Sequence, residues 1–153
     1  MTEKSKKYLS DILMAIELIE EHVGLITLVS SIYETEPWGF RSETSFLNMA
    51  VKVETKLSPS GLLGRILMIE AMMGRLREGK GYKSRIIDID ILLFGSRIVD
   101  NKVLVIPHPR IHDRRFVLVP LAEIGGEIIH PVLKKSILEL LTECNDNSNV
   151  KRI

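Results

Sequence analysis

Hydrophobic and polar residues follow a helical rhythm in four parts of this chain. Residues 9–23 have an apolar residue every three or four positions and are followed by Gly24, so we predict an amphipathic helix that ends there. A second helix is predicted from Pro59, with Ser58 as its N-cap, to about Gly74. Two shorter helices are predicted at about residues 116–124 and 135–142.

Other parts of the chain have the composition or the two-residue alternation of strands. Residues 25–33 are rich in Ile, Val and Thr, and residues 45–55 alternate, with Phe46 and Asn48 on the polar face. A hairpin is predicted around residues 100–101, with residues 97–99 pairing with residues 103–106. The order helix, two strands, helix, strand and hairpin predicts an α+β sandwich with a mainly antiparallel sheet.

Two aspartates interrupt an otherwise apolar predicted strand, residues 85–94. Because side chains alternate across a strand, Asp88 and Asp90 share one face and lie about 6.5–7 Å apart. This separation suits two cations about 3.5–4 Å apart, as in two-metal phosphoryl-transfer sites. The same pattern also fits an ordinary amphipathic strand whose aspartates face water. Since Asp is disfavoured in strands, its presence here favours a functional role.

Length and composition describe one globular domain, residues 1–144, followed by a polar tail, residues 145–153, that we predict to be disordered. The net charge of +1 gives no support to a nucleic-acid partner that depends on overall positive charge. The single cysteine, Cys144, excludes an internal disulfide framework and favours a cytoplasmic protein. We expect no membrane partner, because no apolar run approaches membrane-spanning length and the first residues lack a secretion signal.

Residues 75–84 are basic, contain glycine and lack hydrophobic periodicity, which predicts a mobile loop. Such a run of charges is usually a solvated surface. Here, however, it directly precedes the acidic pair. Its arginines are therefore also candidates for binding phosphate, since a planar guanidinium suits phosphate oxygens.

Five motifs follow one another along the chain: Tyr33–Gly39, Phe46–Asn48, Glu70–Arg77, Arg85–Asp90 and Pro107–Leu121. In order and spacing they closely resemble the hydroxymethyl-dihydropterin pyrophosphokinases of folate biosynthesis, over about Leu9–Pro131. The resemblance implies a ferredoxin-like sandwich that transfers the β,γ-pyrophosphoryl group of ATP to the hydroxymethyl group of a reduced pterin and releases AMP. It also implies two Mg²⁺ ions as cofactors, with ATP and the pterin as partners of a monomer or homodimer.

The resemblance further assigns roles to individual residues. Asp88 and Asp90 match the two metal ligands, and Arg75 and Arg85 match positions that contact the triphosphate, so these four are the catalytic candidates. The other expected ATP contacts are Glu70, Arg77, Tyr82, Ile91, Val103, His108 and Arg114. The expected pterin contacts are Thr35, Pro37, Trp38, Phe46, Asn48 and Phe116. The two phenylalanines are expected to stack on opposite faces of the pterin ring.

The N-terminus departs from the family pattern. The family begins with a central strand and a Leu-Gly-Ser-Asn turn, whereas this sequence starts where that turn has finished, so we expect the first strand to be missing. A mistaken start, a truncation or a strand from a partner chain would each account for this. A non-catalytic relative that binds pterin or nucleotide is therefore an alternative, although the aspartates, arginines and aromatics oppose it. An RNA-binding sandwich is a second alternative, opposed by the near-neutral charge and the 5% aromatic content.

Overall fold

The computed structural model describes residues 3–36, 45–78 and 87–153, with the backbone alone for residues 75–78. The chain divides into two compact units. One consists of Met1–Ile26 with Val53–Asp90, and the other of Thr27–Lys52 with Ile91–Ile153. Helices and antiparallel strands are both present, so the predicted α+β class is confirmed. In the described segments, no helix combines the length and the apolar character needed to cross a bilayer.

The first unit contains two long helices, α1 (Glu3–His22) and α2 (Pro59–Glu78), that pack against each other. Its buried core consists of Ala15, Leu18, Ile19, Val23, Ile69 and Met73. α1 ends just before Gly24, as predicted. Only glycine fits at this position, because a Cβ atom would collide with the backbone carbonyl of Glu54.

Helix α2 begins as predicted but ends later. The hydroxyl of Ser58 accepts a hydrogen bond from the backbone N–H of Gly61 at 3.1 Å, so Ser58 is the expected N-cap. The predicted end near Gly74 is wrong, since the helix continues to Glu78. A glycine inside a helix costs only about 1 kcal/mol relative to alanine and does not end the helix by itself. The first four residues of the predicted loop are therefore helical.

Each of the two long predicted strands is divided into two short ones. They are β1 (Leu25–Val29), β2 (Tyr33–Thr35), β3 (Phe46–Asn48) and β4 (Val51–Glu54). β1 pairs with β4 in one sheet, whereas β2 and β3 belong to another. Ser30 follows β1 and Ala50 precedes β4, and two hydrogen bonds join these residues. The Ser30 N–H donates to the Ala50 carbonyl, and the Ala50 N–H donates to the Ser30 hydroxyl, both at 2.9 Å.

Strand β2 is the centre of an antiparallel sheet in the second unit. β3 pairs with one of its edges and β7 (Val150–Arg152) with the other. Helix α3 (Arg115–Gly125) packs against all three strands and against α4 (Ile137–Glu143). The buried core beside these helices consists of Ile111, Leu118, Leu121, Ile137 and Leu140. Both short helices lie where the sequence predicts them.

The predicted hairpin is also confirmed, with shorter strands than expected. β5 (Val99–Asp100) pairs antiparallel with β6 (Val105–Ile106). In the connecting turn the side chain of Asn101 accepts hydrogen bonds from the N–H groups of Val103 and Leu104, at 2.9 and 3.0 Å. A cis peptide bond joins Ile106 to Pro107, and the hairpin ends there.

Residues 87–94, predicted as the strand that carries both aspartates, are not part of any sheet. A strand needs a hydrogen-bonded neighbour along its length, and at least two of these backbone groups have other partners. The N–H of Ile89 donates to the side chain of Glu70, and the carbonyl of Leu92 accepts from the N–H of His108. The prediction of a strand here is therefore wrong, although the alternating burial expected of it is present at residues 87–90.

The end of the chain is ordered, contrary to the predicted disordered tail from residue 145. Strand β7 pairs with β2, and Lys151 forms an ion pair with Glu36 at 3.1 Å. Before this strand, the carboxylate of Asp146 accepts hydrogen bonds from the N–H of Arg115, the first residue of α3, and from Ser148. The tail thus completes a sheet and caps a helix, which its polar composition does not reveal.

We expect Asp146→Ala to lower the free energy of unfolding by about 1 kcal/mol, because it removes the acceptor at the start of α3. Burial alone would raise the pKa of Asp146, but the hydrogen bonds from Ser148 and Arg115 bring that pKa below its ordinary value. The stabilisation is therefore present above the unfolded-state pKa and is lost as the pH falls through the folded-state pKa. Urea unfolding at neutral and acid pH measures this difference.

The control variant is Asn147→Ala, which changes an exposed neighbour of the same loop. An Asp146→Ala variant as stable as this control at neutral pH would contradict the capping role.

Candidate functional site

The acidic pair, Asp88 and Asp90, lies in the first unit, about ten residues after the end of α2. Asp88 and Asp90 are exposed, whereas Ile87 and Ile89 are partly buried against the core of α1 and α2. The alternation predicted from the sequence is therefore present, even without a sheet. Its physical cause is the burial of the two isoleucines, which turns the two carboxylates to the opposite side of the backbone.

Glu70 of α2 forms a hydrogen bond with the backbone between the two aspartates. Its carboxylate accepts a hydrogen bond from the backbone N–H of Ile89, the residue between the two aspartates, at 2.8 Å. The sequence predicts Glu70 as a residue that lines the nucleotide site. The structure gives it a further contact, since a charged acceptor orients the backbone from which both aspartates project.

The two aspartates suit a magnesium ion that is also held by phosphates. Within the described segments, no group of three or more His, Cys, Asp or Glu side chains could hold a metal ion by itself. Mg²⁺ at phosphoryl-transfer sites commonly takes one or two carboxylates from the protein and completes its shell with phosphate oxygens and water. An exposed pair of carboxylates on one side of an extended segment meets this requirement.

The predicted pterin residues lie in the second unit, on one face of the β3-β2-β7 sheet. Directly opposite residues of antiparallel strands share a face. One row across the sheet is Asn48, Tyr33 and Arg152, and the next is Phe46, Thr35 and Val150. Because Tyr33 and Thr35 are two residues apart on β2, both rows lie on the same face. The structure therefore brings together Phe46, Asn48 and Thr35.

Phe46 and Thr35 differ sharply in burial, although they are neighbours in the same row. The Phe46 side chain is 52% exposed, a large apolar surface in contact with water. Thr35 is only 6% exposed, and its hydroxyl has no hydrogen-bond partner among the described residues. A buried hydroxyl without a partner is costly. An exposed aromatic ring beside such a hydroxyl is an arrangement suited to a flat, polar ligand.

Phe116 lies in the first turn of α3, the helix that packs against this sheet. The guanidinium of Arg114 lies over its ring, 5.8 Å from the centroid, within the range of a cation–π interaction. Arg114 and Phe116, predicted for ATP and for pterin respectively, are thus in contact with each other. The predicted aromatic pair comes from β3 and α3, two elements that pack together.

His108 follows the hairpin and is partly buried. Its Nδ1 accepts a hydrogen bond from the backbone N–H of Arg110 at 3.1 Å, so the neutral ring carries its proton on Nε2. The sequence predicts that His108 contacts the ATP phosphates and leaves the protonation of its ring open.

The sequence analysis missed Glu123, an exposed glutamate of α3. Its carboxylate accepts hydrogen bonds from the Tyr33 hydroxyl at 2.7 Å, from the Ser31 N–H at 3.0 and 3.1 Å, and from the Ser31 hydroxyl at 3.1 Å. The bond from Tyr33, together with those from Ser31, holds the pKa of Glu123 below its ordinary value, and the same bond raises the pKa of Tyr33. About ninety residues separate these partners along the chain, so no local sequence signal indicates the contact.

For the remaining predicted site residues, the structure gives no contact that bears on their predicted roles. Pro37, Trp38, Tyr82 and Arg85 lie outside the described residues, as does the predicted loop beyond residue 78. Arg75 and Arg77 belong to the last turn of α2 by their backbone alone. Ile91 is partly buried, and Val103 is 77% exposed in the hairpin turn. Their assignment to the adenine pocket stays a prediction.

Comparison with known proteins gives a consistent result. A model of the 7,8-dihydro-6-hydroxymethylpterin-pyrophosphokinase family matches residues 3–126. A 2-amino-4-hydroxy-6-hydroxymethyldihydropteridine pyrophosphokinase of Bacillus subtilis is 46% identical over 115 residues, which cover 74% of this chain and 68% of the relative.

Two further relatives carry the same name. The protein of Aquifex aeolicus is 40% identical over 135 residues, which cover 88% of this chain and 83% of the relative. The protein of Haemophilus influenzae is 37% identical over 126 residues, covering 82% and 78% respectively. With a family match over most of its length and relatives of this similarity, the chain belongs to the 7,8-dihydro-6-hydroxymethylpterin-pyrophosphokinase family.

Proposed function

We propose that this protein transfers the pyrophosphoryl group of ATP to the hydroxymethyl group of 6-hydroxymethyl-7,8-dihydropterin, with release of AMP, in folate biosynthesis. The observation that carries the proposal is the family match over residues 3–126, which includes all five motifs. The oxygen of the hydroxymethyl group attacks the β-phosphorus of ATP and loses its proton. The bond between the α,β-bridging oxygen and the β-phosphorus breaks, so AMP leaves with that oxygen.

Asp88 and Asp90 are the proposed ligands of two Mg²⁺ ions. When bound, the ions neutralise the charge of the triphosphate and polarise its phosphorus–oxygen bonds. The exposure of both carboxylates on one side of the segment supports this role, as does the bond between Glu70 and the N–H of Ile89. Glu70 then acts through the backbone, as a positioning residue for the acidic pair, in addition to its predicted place beside the nucleotide.

The remaining charged residues are proposed to bind the triphosphate. Phosphoryl transfer depends mainly on positioning and on neutralisation of charge, and arginine is well suited to both. The proposed contacts are Arg75, Arg77, Arg85, Arg114 and His108, with Tyr82 packing on the substrates and Ile91 and Val103 near the adenine. For His108, the hydrogen bond from the Arg110 N–H to Nδ1, which fixes the position of the ring, supports this contact.

The pterin is proposed to stack between Phe46 and Phe116, with its polar edge on Asn48 and Thr35 and on the segment that includes Pro37 and Trp38. A flat heteroaromatic ring gains from offset stacking on both of its faces. Three observations support this assignment: the exposure of Phe46, the hydroxyl of Thr35 that has no partner within the described part of the chain, and the packing of α3 against β3. Bound pterin would cover the exposed Phe46 ring and offer a hydrogen-bond partner to the Thr35 hydroxyl.

Several broader features belong to the same proposal. We propose the ferredoxin-like form of the α+β sandwich, a cytoplasmic location, and a monomer or homodimer without a nucleic-acid or membrane partner. The composition of the chain supports the location, since its single cysteine leaves no internal disulfide to form. The absence of the family's first strand stays an expectation.

Replacement of either aspartate should abolish the reaction. We expect Asp88→Ala and Asp90→Ala each to lower kcat by about a thousandfold or more, since loss of a metal ligand removes several kcal/mol of transition-state stabilisation. The measurement is AMP release from Mg-ATP with and without the pterin. Asp100→Ala, at an exposed aspartate of β5, is the control and should keep parental activity. Turnover by both variants at the parental rate would refute the metal assignment, and a parent that binds both substrates without forming AMP would indicate a non-catalytic relative.

Loss of the Glu70 carboxylate should weaken the use of Mg²⁺. In Glu70→Ala the Ile89 N–H loses its acceptor, so we expect the Mg²⁺ concentration for half-maximal activity to rise about fivefold at saturating ATP. Glu70→Gln keeps an oxygen acceptor and should lie between this variant and the parent. Glu17→Ala, on the exposed face of α1, is the control. A Mg²⁺ requirement that stays the same in Glu70→Ala would separate Glu70 from the acidic pair.

Removal of the exposed ring should weaken pterin binding with little effect on stability. We expect Phe46→Ala to raise KM for the pterin about tenfold or more through lost stacking and apolar contact, with KM for ATP nearly unchanged. The melting temperature should fall only slightly, because half of the side chain is in contact with water. Leu67→Ala, at a similarly exposed residue of α2, controls for the loss of apolar surface. A large drop in melting temperature without a change in pterin KM would make Phe46 a packing residue.

A further inference from the structure

Two contacts join α3 to the face of the sheet that carries the proposed pterin residues. The first is the close approach of the helix to β2, β3 and β7. The second is the cluster of Glu123 with Ser31 and Tyr33, which we call the Glu123 cluster. Packing alone tolerates small sliding movements, whereas a charged acceptor with three donors defines both distance and direction.

The Glu123 cluster is adjacent to the proposed stacking residues on both elements. On the sheet, Tyr33 shares its face with Thr35, two residues further along β2, and Thr35 lies directly opposite Phe46. On the helix, Phe116 precedes Glu123 by seven residues. Seven residues make almost two full turns, so both side chains project from the same side of α3, about 10.5 Å apart along its axis. The cluster therefore joins the face that carries Phe46 to the helix side that carries Phe116.

We propose that Glu123 is a positioning residue for the pterin site, which sets the separation of Phe116 from the sheet face that carries Phe46 and Thr35. This proposal rests on the proposed function, because the separation matters only if a ring binds between the two phenylalanines. Stacking on both faces of one ring requires two gaps of van der Waals width. A shift of α3 by a fraction of an ångström therefore weakens one of the two contacts.

Charges around the cluster favour the ionised glutamate that this role requires. Arg152 lies directly opposite Tyr33 in the sheet, and its positive charge acts on both Glu123 and Tyr33. Strand β7 thus contributes to the same arrangement, from a part of the chain beyond the family match, which ends at residue 126. Glu123 is not among the residues proposed to contact either substrate, so its effect would be transmitted through Tyr33, Ser31 and the helix.

The test compares Tyr33→Phe, Glu123→Gln and Glu123→Ala with the control Glu127→Gln. Glu127 is an exposed glutamate just after α3, and its replacement removes the same charge. Three quantities are measured for each full-length protein: the Kd of hydroxymethyl-dihydropterin by fluorescence titration, with and without a non-hydrolysable ATP analogue; KM for ATP; and the melting temperature.

We expect Tyr33→Phe and Glu123→Ala to raise the Kd of the pterin about fivefold to tenfold, in line with loss of a hydrogen bond to a charged group, with KM for ATP changed less than about twofold. Glu123→Gln keeps an oxygen for the Tyr33 hydroxyl and should partly restore pterin binding. The double variant Tyr33→Phe with Glu123→Gln should be no weaker than the worse single variant, because both changes act on one contact. Tyr33→Phe loses a single oxygen and remains informative if Glu123→Ala does not fold.

Two results would overturn the proposal. One is an equal weakening of pterin and ATP binding, and the other is a lower melting temperature with unchanged pterin Kd, since either indicates general stabilisation. A parent that binds the pterin but forms no AMP would refute the proposed function, while the Kd series would still decide the role of Glu123. A parent that does not bind the pterin would overturn both.

Discussion

Carboxylates that accept backbone N–H groups from distant parts of the chain are the interaction on which the arrangement of this protein depends. Glu70 holds the N–H of Ile89, Glu123 holds the N–H of Ser31, and Asp146 holds the N–H of Arg115. Each of these hydrogen bonds joins a helix to a residue that lies outside the named helices and strands. A charged acceptor is stronger than a neutral one and directional, so each contact defines a position that apolar packing alone would leave loose.

The two groups of proposed functional residues illustrate this in different ways. In the first unit, burial of Ile87 and Ile89 selects the side on which Asp88 and Asp90 lie, and Glu70 holds the backbone between them. In the second unit, antiparallel register selects which side chains share a face. Metal binding needs two carboxylates on one side, and ring stacking needs a defined gap. Short extended segments supply the former through alternation, and helix-to-sheet contacts supply the latter.

The C-terminal segment has a larger part in the fold than its composition suggests. Val150–Arg152 forms the outer strand beside β2, Lys151 pairs with Glu36, and Asp146 caps α3. A polar segment with few apolar residues gains little from burial, and that is why its composition predicts disorder. Its order comes from backbone pairing with β2 and from specific acceptors, and these depend on a sheet edge that forms elsewhere in the chain.

The sequence by itself determined two kinds of feature: local secondary structure and membership of a protein family. Periodicity and capping residues predicted α1, the start of α2, the hairpin, α3 and α4, because helix and turn signals act over a few residues. Five motifs identified the family. Only the tertiary structure decided that residues 87–94 bond outside any sheet, that the long predicted strands break at Ser30 and Ala50, and that Glu123 reaches Tyr33. These outcomes depend on which partner a backbone or carboxylate group meets 19 to 90 residues away along the chain, and such partners leave no local pattern.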